Sequence, residues 1–536
     1  MYKLIRITLF IIVISVFAVI FSCTKLDEEI YSTTIPENFY KTEEEIVSIL
    51  APVYGELRTI ISGRGITDLE DICTDIMVVP TRNYGGWFDG GVFQRLHEHT
   101  WTSEHPHINN IWKRAFSLIN RSNMVIYQLE QQGDNINPEK KDRFLSELYI
   151  IRALGYYYLL NAFGNVPIVD RFDVPEDFKP VNNSDFQIGR NQVFEFIEND
   201  LLNNISKLDD NVNESTYGRF NKWATMTILV KLYMNAEIWT GNERWDDAIT
   251  YANQIIQSGK YQLEDNYFSN FLKNNNSSSE NIFVLPYHPT LTGKGMRNKG
   301  YVHHQHFSAG PVVGAPMGGW NGYVAIPSFI RSFHFDDRRL DGWAIGPQID
   351  KNTGKVVLNT RASQEPLVYT IDFENIYFEG DPTEYNYALA TEYNGARFFK
   401  YEVSFESGTN MSNDWVVFRL ADILLLKAEA LMRKNGGIAT AEAVNLVNQV
   451  RSRAFDNSSS QLFTLGTLSL DELLAERARE FYYEGMRRND LIRFGKFARG
   501  EWEWYDRSNH GDNKNWFPIP QVQINANNLL VQNPGY

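Results

Sequence analysis

A chain of 536 residues with a formal charge of −15 repels phosphate backbones, which argues against nucleic acid as a partner. Its two cysteines, Cys23 and Cys73, supply neither a disulfide framework nor a thiolate metal site. Aromatic residues make up 14% of the chain, with 12 Trp and 28 Tyr, and that surplus must go into a large core or onto a ligand surface.

Residues 1–22 read as an export signal: Lys3 and Arg6 give a positive start, and Leu9–Phe21 is an almost unbroken apolar run. The run is short for a membrane-spanning helix, and polar, acidic residues follow it. Ile20-Phe21-Ser22-Cys23 places a small residue directly before a cysteine, as a bacterial lipobox does, although Phe21 is bulky for that position. Cys23 is therefore the expected lipidation site, with acyl chains anchoring the mature protein at about 0.8 kcal/mol per buried CH₂. An ordinary secretory signal with Cys23 as a free thiol is the alternative. Residues 23–42 form an acidic linker and N-terminal segment, marked by Asp27-Glu28-Glu29.

Residues 43–260 read as a helical-hairpin part. Ile46, Ile49, Leu50, Val53 and Leu57 recur at helical spacing over 43–61, with Pro52 tolerated at a bend. Further helical runs are expected at 108–131, 139–163, 190–207, 221–240 and 244–258. Between the first helix and these lies 80–107, a glycine-rich loop carrying Tyr84, Trp87, Phe88, Trp101 and four histidines, and therefore a ligand candidate. Residues 261–415 lose helical periodicity, gain Gly, Pro, Asn and Ser, and show short β-like runs at Ile282–Leu285 and Lys355–Leu358. A long irregular insertion between helical hairpins is usually functional, and this one is the expected ligand-binding part. Residues 416–500 return to helical hairpins, and 501–536 form an irregular tail in which three prolines rule out a regular helix. The runs 223–239 with 243–261, and 420–437 with 438–454, pair across short turns like degenerate tetratricopeptide hairpins.

The stretch 470–497 organises the C-terminal part. Leu470, Leu473, Leu474, Ala478 and Phe481 define one helical face, while Arg477, Glu480, Glu484, Arg487 and Arg488 stand three, four and seven apart on the other. Gly485 inside that pattern implies close approach of another backbone. Glu480 and Glu484 share an Arg-laced face instead of flanking a cleft, so they read as structure and not as a glycosidase pair.

The run Glu476-Arg-Ala-Arg-Glu-Phe-Tyr-Tyr-Glu-Gly-Met-Arg-Arg-Asn-Asp-Leu-Ile-Arg-Phe-Gly495 resembles the C-terminal signature of the SusD/RagB family. Residues 111–126, 148–169, 217–236 and 418–431, and the final Pro-Ile-Pro…Asn-Pro-Gly-Tyr, resemble further family segments in the expected order. The resemblance implies a mostly α fold of tetratricopeptide-like hairpins, an α/α superhelix, around a large irregular insertion. It also implies a lipoprotein on the outer face of the outer membrane. Such a protein would capture oligosaccharides without catalysis and pass them to a SusC-type TonB-dependent transporter. Peptide capture for uptake is the alternative that the same resemblance allows.

A sugar presents an apolar C–H face and a fringe of hydroxyls, and so needs a flat aromatic ring with polar groups beside it. Two glycine-rich segments, 82–89 and 318–323, supply both. Trp87 and Trp320 are the expected stacking platforms, with Tyr84 and Tyr323 secondary, and Arg82, Asn83 and Asn321 for hydroxyls. A Trp among glycines can equally plug a gap in an irregular region. Trp101 and Trp112 read as core. His303-His304-Gln305-His306 has no neighbouring carboxylate in sequence and does not read as a metal site, and Asp336-Asp337-Arg338-Arg339 reads as a solvated ion-paired loop. With no GxSxG, HExxH or P-loop, no catalytic residue, metal or cofactor is expected.

Overall fold

The computed structural model describes residues 42–61, 65–131, 137–361, 364–373, 390–405, 410–504 and 511–536. The expected export signal, Cys23 and nearly all of the acidic linker lie outside the described residues. Helix α1 (Glu43–Ile61) runs through Pro52 and buries Ile46, Leu50, Val53, Leu57 and Ile60. It packs on α4 (Pro106–Glu130), reached through the short α2 (Ile66–Ile72) and α3 (Val92–His97). Helix α4 packs on α5 (Pro138–Phe163), and α5 on α6 (Phe186–Asn204). From Phe144 onward α5 is buried on almost every side, which is why its sequence shows little amphipathic contrast.

A second stack follows. Helix α7 (Lys222–Met234), extended by α8 (Ala236–Thr240), packs on α9 (Trp245–Gln257). Helix α9 packs on α10 (Leu420–Lys434), and α10 on α11 (Ala441–Ser452). Local chemistry sets the starts: Asn137, Asp185, Asn221 and Thr440 each accept a backbone N–H of the first turn, worth about 1 kcal/mol apiece. Trp101 and Trp112 are buried among these helices, as read from sequence.

Helices α9 and α10 are neighbours in space although 258–419 separates them, so the insertion leaves the helical stack and returns to the same place. Its ends are tied by β2 (Asn281–Leu285) lying antiparallel to β8 (Trp415–Arg419). The remaining pairs are two residues long: β1 (Met77–Val78) with β3 (Val324–Ala325), β4 (Trp343–Ala344) with β7 (Arg397–Phe398), and β5 (Gly346–Pro347) with β6 (Val368–Tyr369). The run 282–285 is a strand as expected, whereas 355–358 makes only isolated bridges.

The stretch 470–497 is not one helix. It forms α12 (Leu470–Phe481), capped by Ser469, and α13 (Arg487–Arg493), with a break between them where Tyr483 and Gly485 take positive φ of 57° and 75°. A Cβ on Gly485 would stand 2.9 Å from Thr67 Cα, so the close approach expected there is made by a turn and not by a helix. Both faces are buried, and the charged residues find distant partners instead of each other. Glu480 accepts from Arg339, Arg419 and Arg453, while Glu484 meets Lys400 and Arg419. Arg477 pairs with Asp490, Arg487 with Asp75, and Arg488 with Glu70. Asp337 and Arg339 belong to the same buried network, which corrects the reading of 336–339 as a solvated loop. The tail packs Phe517 and Ile519 into the core, with a short helix, Gln521–Ala526, between its prolines.

Candidate functional site

The two glycine-rich segments meet, and backbone geometry explains why each needs its glycines. In the first, Gly85 N–H donates to Arg82 O at 2.8 Å and Arg82 N–H to Gly86 O at 2.9 Å, closing a tight turn. The second lies along 302–306: Gly319 N–H donates to His306 O, Trp320 N–H to Val302 O, and Asn321 N–H to Gln305 O. A Cβ at Gly318 or Gly319 would fall 1.9 Å from Phe307 O or 2.1 Å from Gln305 O, so only glycine lets these backbones touch.

Arg82 stitches the segments together. Its Nε donates to Asn321 O at 2.9 Å, Nη2 to Gly322 O at 3.1 Å, and Nη1 to Thr391 O and Asn394 O at 2.8 and 3.0 Å. It is fully buried with each guanidinium nitrogen engaged within the protein, which corrects its expected role on sugar hydroxyls. Asn321 is likewise buried: its Oδ1 accepts from Arg397 Nη2 at 2.7 Å. Tyr323 is also buried, its hydroxyl donating to Asp68 Oδ2 at 3.0 Å. Asp68 also accepts from Tyr483 and Lys299, so Tyr323 anchors the segment to the core. These three residues build the frame.

Trp87 is half-buried. Held at φ 65°, its ring lies against Phe93 and Tyr323, both at 5.5 Å between centroids, and its Nε1 donates to Trp320 O at 2.6 Å. Gly322 makes room for it, since a Cβ there would meet the indole at 2.4 Å. The gap-plugging alternative describes Trp87 well. Trp320 and Tyr84 differ: they remain 49% and 47% exposed, and Asn83 beside them is exposed too. Trp320 leans on His303 at 5.2 Å, and Tyr84 meets Phe307 edge-on at 5.9 Å.

Further neighbours carried no signal in the sequence. Phe307 underlies Tyr84, and the Arg361 guanidinium lies 3.9 Å over the Phe307 ring. Glu392 accepts from Asn359 Nδ2, which also donates to the Tyr393 hydroxyl at 2.9 Å. Ser308 N–H donates to His306 Nδ1 at 3.0 Å, which places the imidazole proton on Nε2, 3.3 Å from Glu392 Oε2. Burial, then the charges of Arg397, Arg82 and Arg361, hold His306 down at about 3, so it is neutral at physiological pH. Burial likewise lowers Arg397 to about 10. His303, His304 and His306 are all buried, and among the described residues no three His, Cys, Asp or Glu side chains converge.

The profile of the SusD family matches residues 279–536, and one described as "Starch-binding associating with outer membrane" matches 26–234. The starch-binding protein SusD of Bacteroides thetaiotaomicron is 27% identical over 489 residues, 84% of this chain and 82% of that protein. SusD-like protein P25 of Formosa agariphila is 25% identical, covering 96% of this chain and 97% of its own length. Among solved structures, a laminarin-binding SusD-like protein superposes with a TM-score of 0.70 at 23% identity, over 93% of this chain and all of that one. Surface glycan-binding protein A of Bacteroides thetaiotaomicron, in complex with laminarihexaose, also gives 0.70, at 20% identity over 92% of this chain and 99% of that one.

Proposed function

Because the chain belongs to the SusD family, we propose that it captures oligosaccharides at the outer-membrane surface. Trp320 and Tyr84 would stack on sugar rings, with Asn83 available to hydroxyls. The observation that carries this reading is the pair of half-exposed rings, Trp320 and Tyr84, on a frame whose other members are buried and fully bonded. Large aromatic rings left in water on a rigid support bind a C–H face with little ordering cost. Trp87, Tyr323, Arg82 and Asn321 would act indirectly, by fixing where those rings stand.

Capture ends without bond cleavage in this proposal. Glu480 and Glu484 sit in a buried ion network with no access for a glycosidic bond. Acylation of Cys23 would hold the protein beside a SusC-type TonB-dependent transporter, and the raised effective concentration would offset weak affinity per site. The test is affinity electrophoresis of the purified protein against a panel of plant, host and microbial polysaccharides. A Trp320→Ala/Tyr84→Ala variant is run beside it, and reducing ends are counted afterwards. Retardation by one glycan class, lost in the variant and with no new reducing ends, is the expected result. No retardation by any glycan would redirect the search to peptides, and new reducing ends would overturn the non-catalytic reading.

A further inference from the structure

Among the described residues, the groups around Tyr84 carry a charge opposite to that of the chain. The protein as a whole stands at −15, yet three guanidinium groups converge here. Arg82 and Arg397 lie beneath, buried and bonded to carbonyl oxygens and the Asn321 amide instead of to carboxylates. Arg361 lies on the surface, stacked at 3.9 Å on Phe307, and no carboxylate pairs with it among the described residues. Among the described residues Glu392 is the carboxylate that opposes them, and it is engaged by Asn359 and His306. The depressed titration of His306, to which all three arginines contribute after burial, reports the same positive potential.

Hydroxyl recognition gives no reason for this arrangement. A neutral sugar is served by Asn or Gln without the desolvation of a cation. A guanidinium held flat on a ring keeps its N–H edge free, in the fork geometry that matches a carboxylate or sulfate. Repulsion from the remaining acidic surface is screened over about 8 Å at physiological ionic strength, so the local charge governs a bound ligand.

We propose that this surface selects anionic oligosaccharides: Trp320 and Tyr84 take sugar rings while Arg361 takes a carboxylate or sulfate on the same ligand. The inference rests on the glycan-capture reading above.

Isothermal titration calorimetry on the purified protein tests it with four probes. These are tetragalacturonate for carboxylates, a carrageenan-derived tetrasaccharide for sulfates, and laminarihexaose and maltoheptaose as neutral controls. At least one anionic probe should bind about tenfold or more tighter than either neutral one, and which one it is separates carboxylate from sulfate. Arg361→Gln should erase that advantage with the thermal midpoint unchanged, and Arg361→Lys should restore part of it. Neutral probes binding as tightly as anionic ones, or an Arg361→Gln variant with undiminished anionic affinity, would overturn the proposal. If neutral binding is present and lost in Trp320→Ala, glycan capture stands and only the anionic selectivity falls. If nothing binds in any arm, both fall.

Discussion

Replacing Glu480 with Gln removes one charge from the buried network while keeping the side chain's shape. Glu480 is fully buried and accepts from Arg453 Nη2 at 2.6 Å, Arg419 Nη1 at 2.7 Å and Arg339 Nη1 at 3.0 Å. Burial alone would raise its pKa, but Arg453, Arg419 and Arg339 more than reverse this and hold it at about 2, against an ordinary 4.5. That difference corresponds to roughly 3 kcal/mol of stability at neutral pH. Because the folded value lies below the unfolded one, the contribution is complete above pH 4.5 and disappears as pH falls through 2. At pH 3 roughly 1.4 kcal/mol of it remains. Glu480→Gln also leaves three guanidinium groups short of an anion, so a loss of about 3–5 kcal/mol at pH 7 is expected. Urea unfolding followed by far-ultraviolet circular dichroism at pH 7 and pH 3 measures both quantities. Lys496→Gln, which breaks the exposed pair with Asp471, serves as control at under about 0.5 kcal/mol. A Glu480→Gln protein within 0.5 kcal/mol of wild type at pH 7, or a gap of equal size at both pH values, would refute the reasoning (the margin is about the error of such measurements).

Gly485→Ala should cost about 2 kcal/mol or more, because φ is 75° and the new Cβ meets Thr67 Cα at 2.9 Å; an unchanged unfolding midpoint would contradict that geometry. Tyr323→Phe should destabilise by about 1–2 kcal/mol through the lost bond to Asp68 and leave glycan affinity unchanged. Weaker binding at unchanged stability would instead put the Tyr323 hydroxyl in the site. Burial holds His304 and His306 near 3 and His105 near 4, against 6.5 when free. Unfolding therefore takes up protons between those values, and each histidine removes up to about 1.4 kcal/mol per pH unit below 6.5. The midpoint should fall between pH 7 and 5, less steeply in His304→Gln, and a flat profile would refute this.

The helices were legible because α1, α4 and α9 announce themselves through spacing that any buried face requires. The break at Tyr482–Met486 was not, since its neighbours continue a helical pattern and only the approach of Thr67 shows why the chain must turn. Trp87 and Trp320 sit in near-identical glycine-rich surroundings, and spacing cannot tell them apart. Their fates diverge through contacts with Phe93, Tyr323 and His303, residues brought close only by the finished fold. Arg82 looked like a sugar ligand for the same reason, as its carbonyl partners lie 239 to 312 residues away. Arg361 had no local signal at all, because its meaning comes from Phe307.

The junction between α2 and the start of α13 bears on when the molecule can close. Asp68 receives the Tyr483 hydroxyl from 415 residues away, and Glu70 receives Arg488 from 418. Asp71 accepts from Gly485 N–H and Asp75 from Arg487, so each of these four carboxylates takes a partner from 483–488. A chain delivered across a membrane from its N-terminus presents those carboxylates early and their partners nearly last. Until then Asp71 and Asp75 keep their water while Asp68 and Glu70 hold only nearer partners such as Lys299 and Asn161. The cost of closing so large a loop is not yet offset by the contacts with 483–488. Such late closure would keep an exported polypeptide threadable for most of its passage and let it lock only once the far end has arrived.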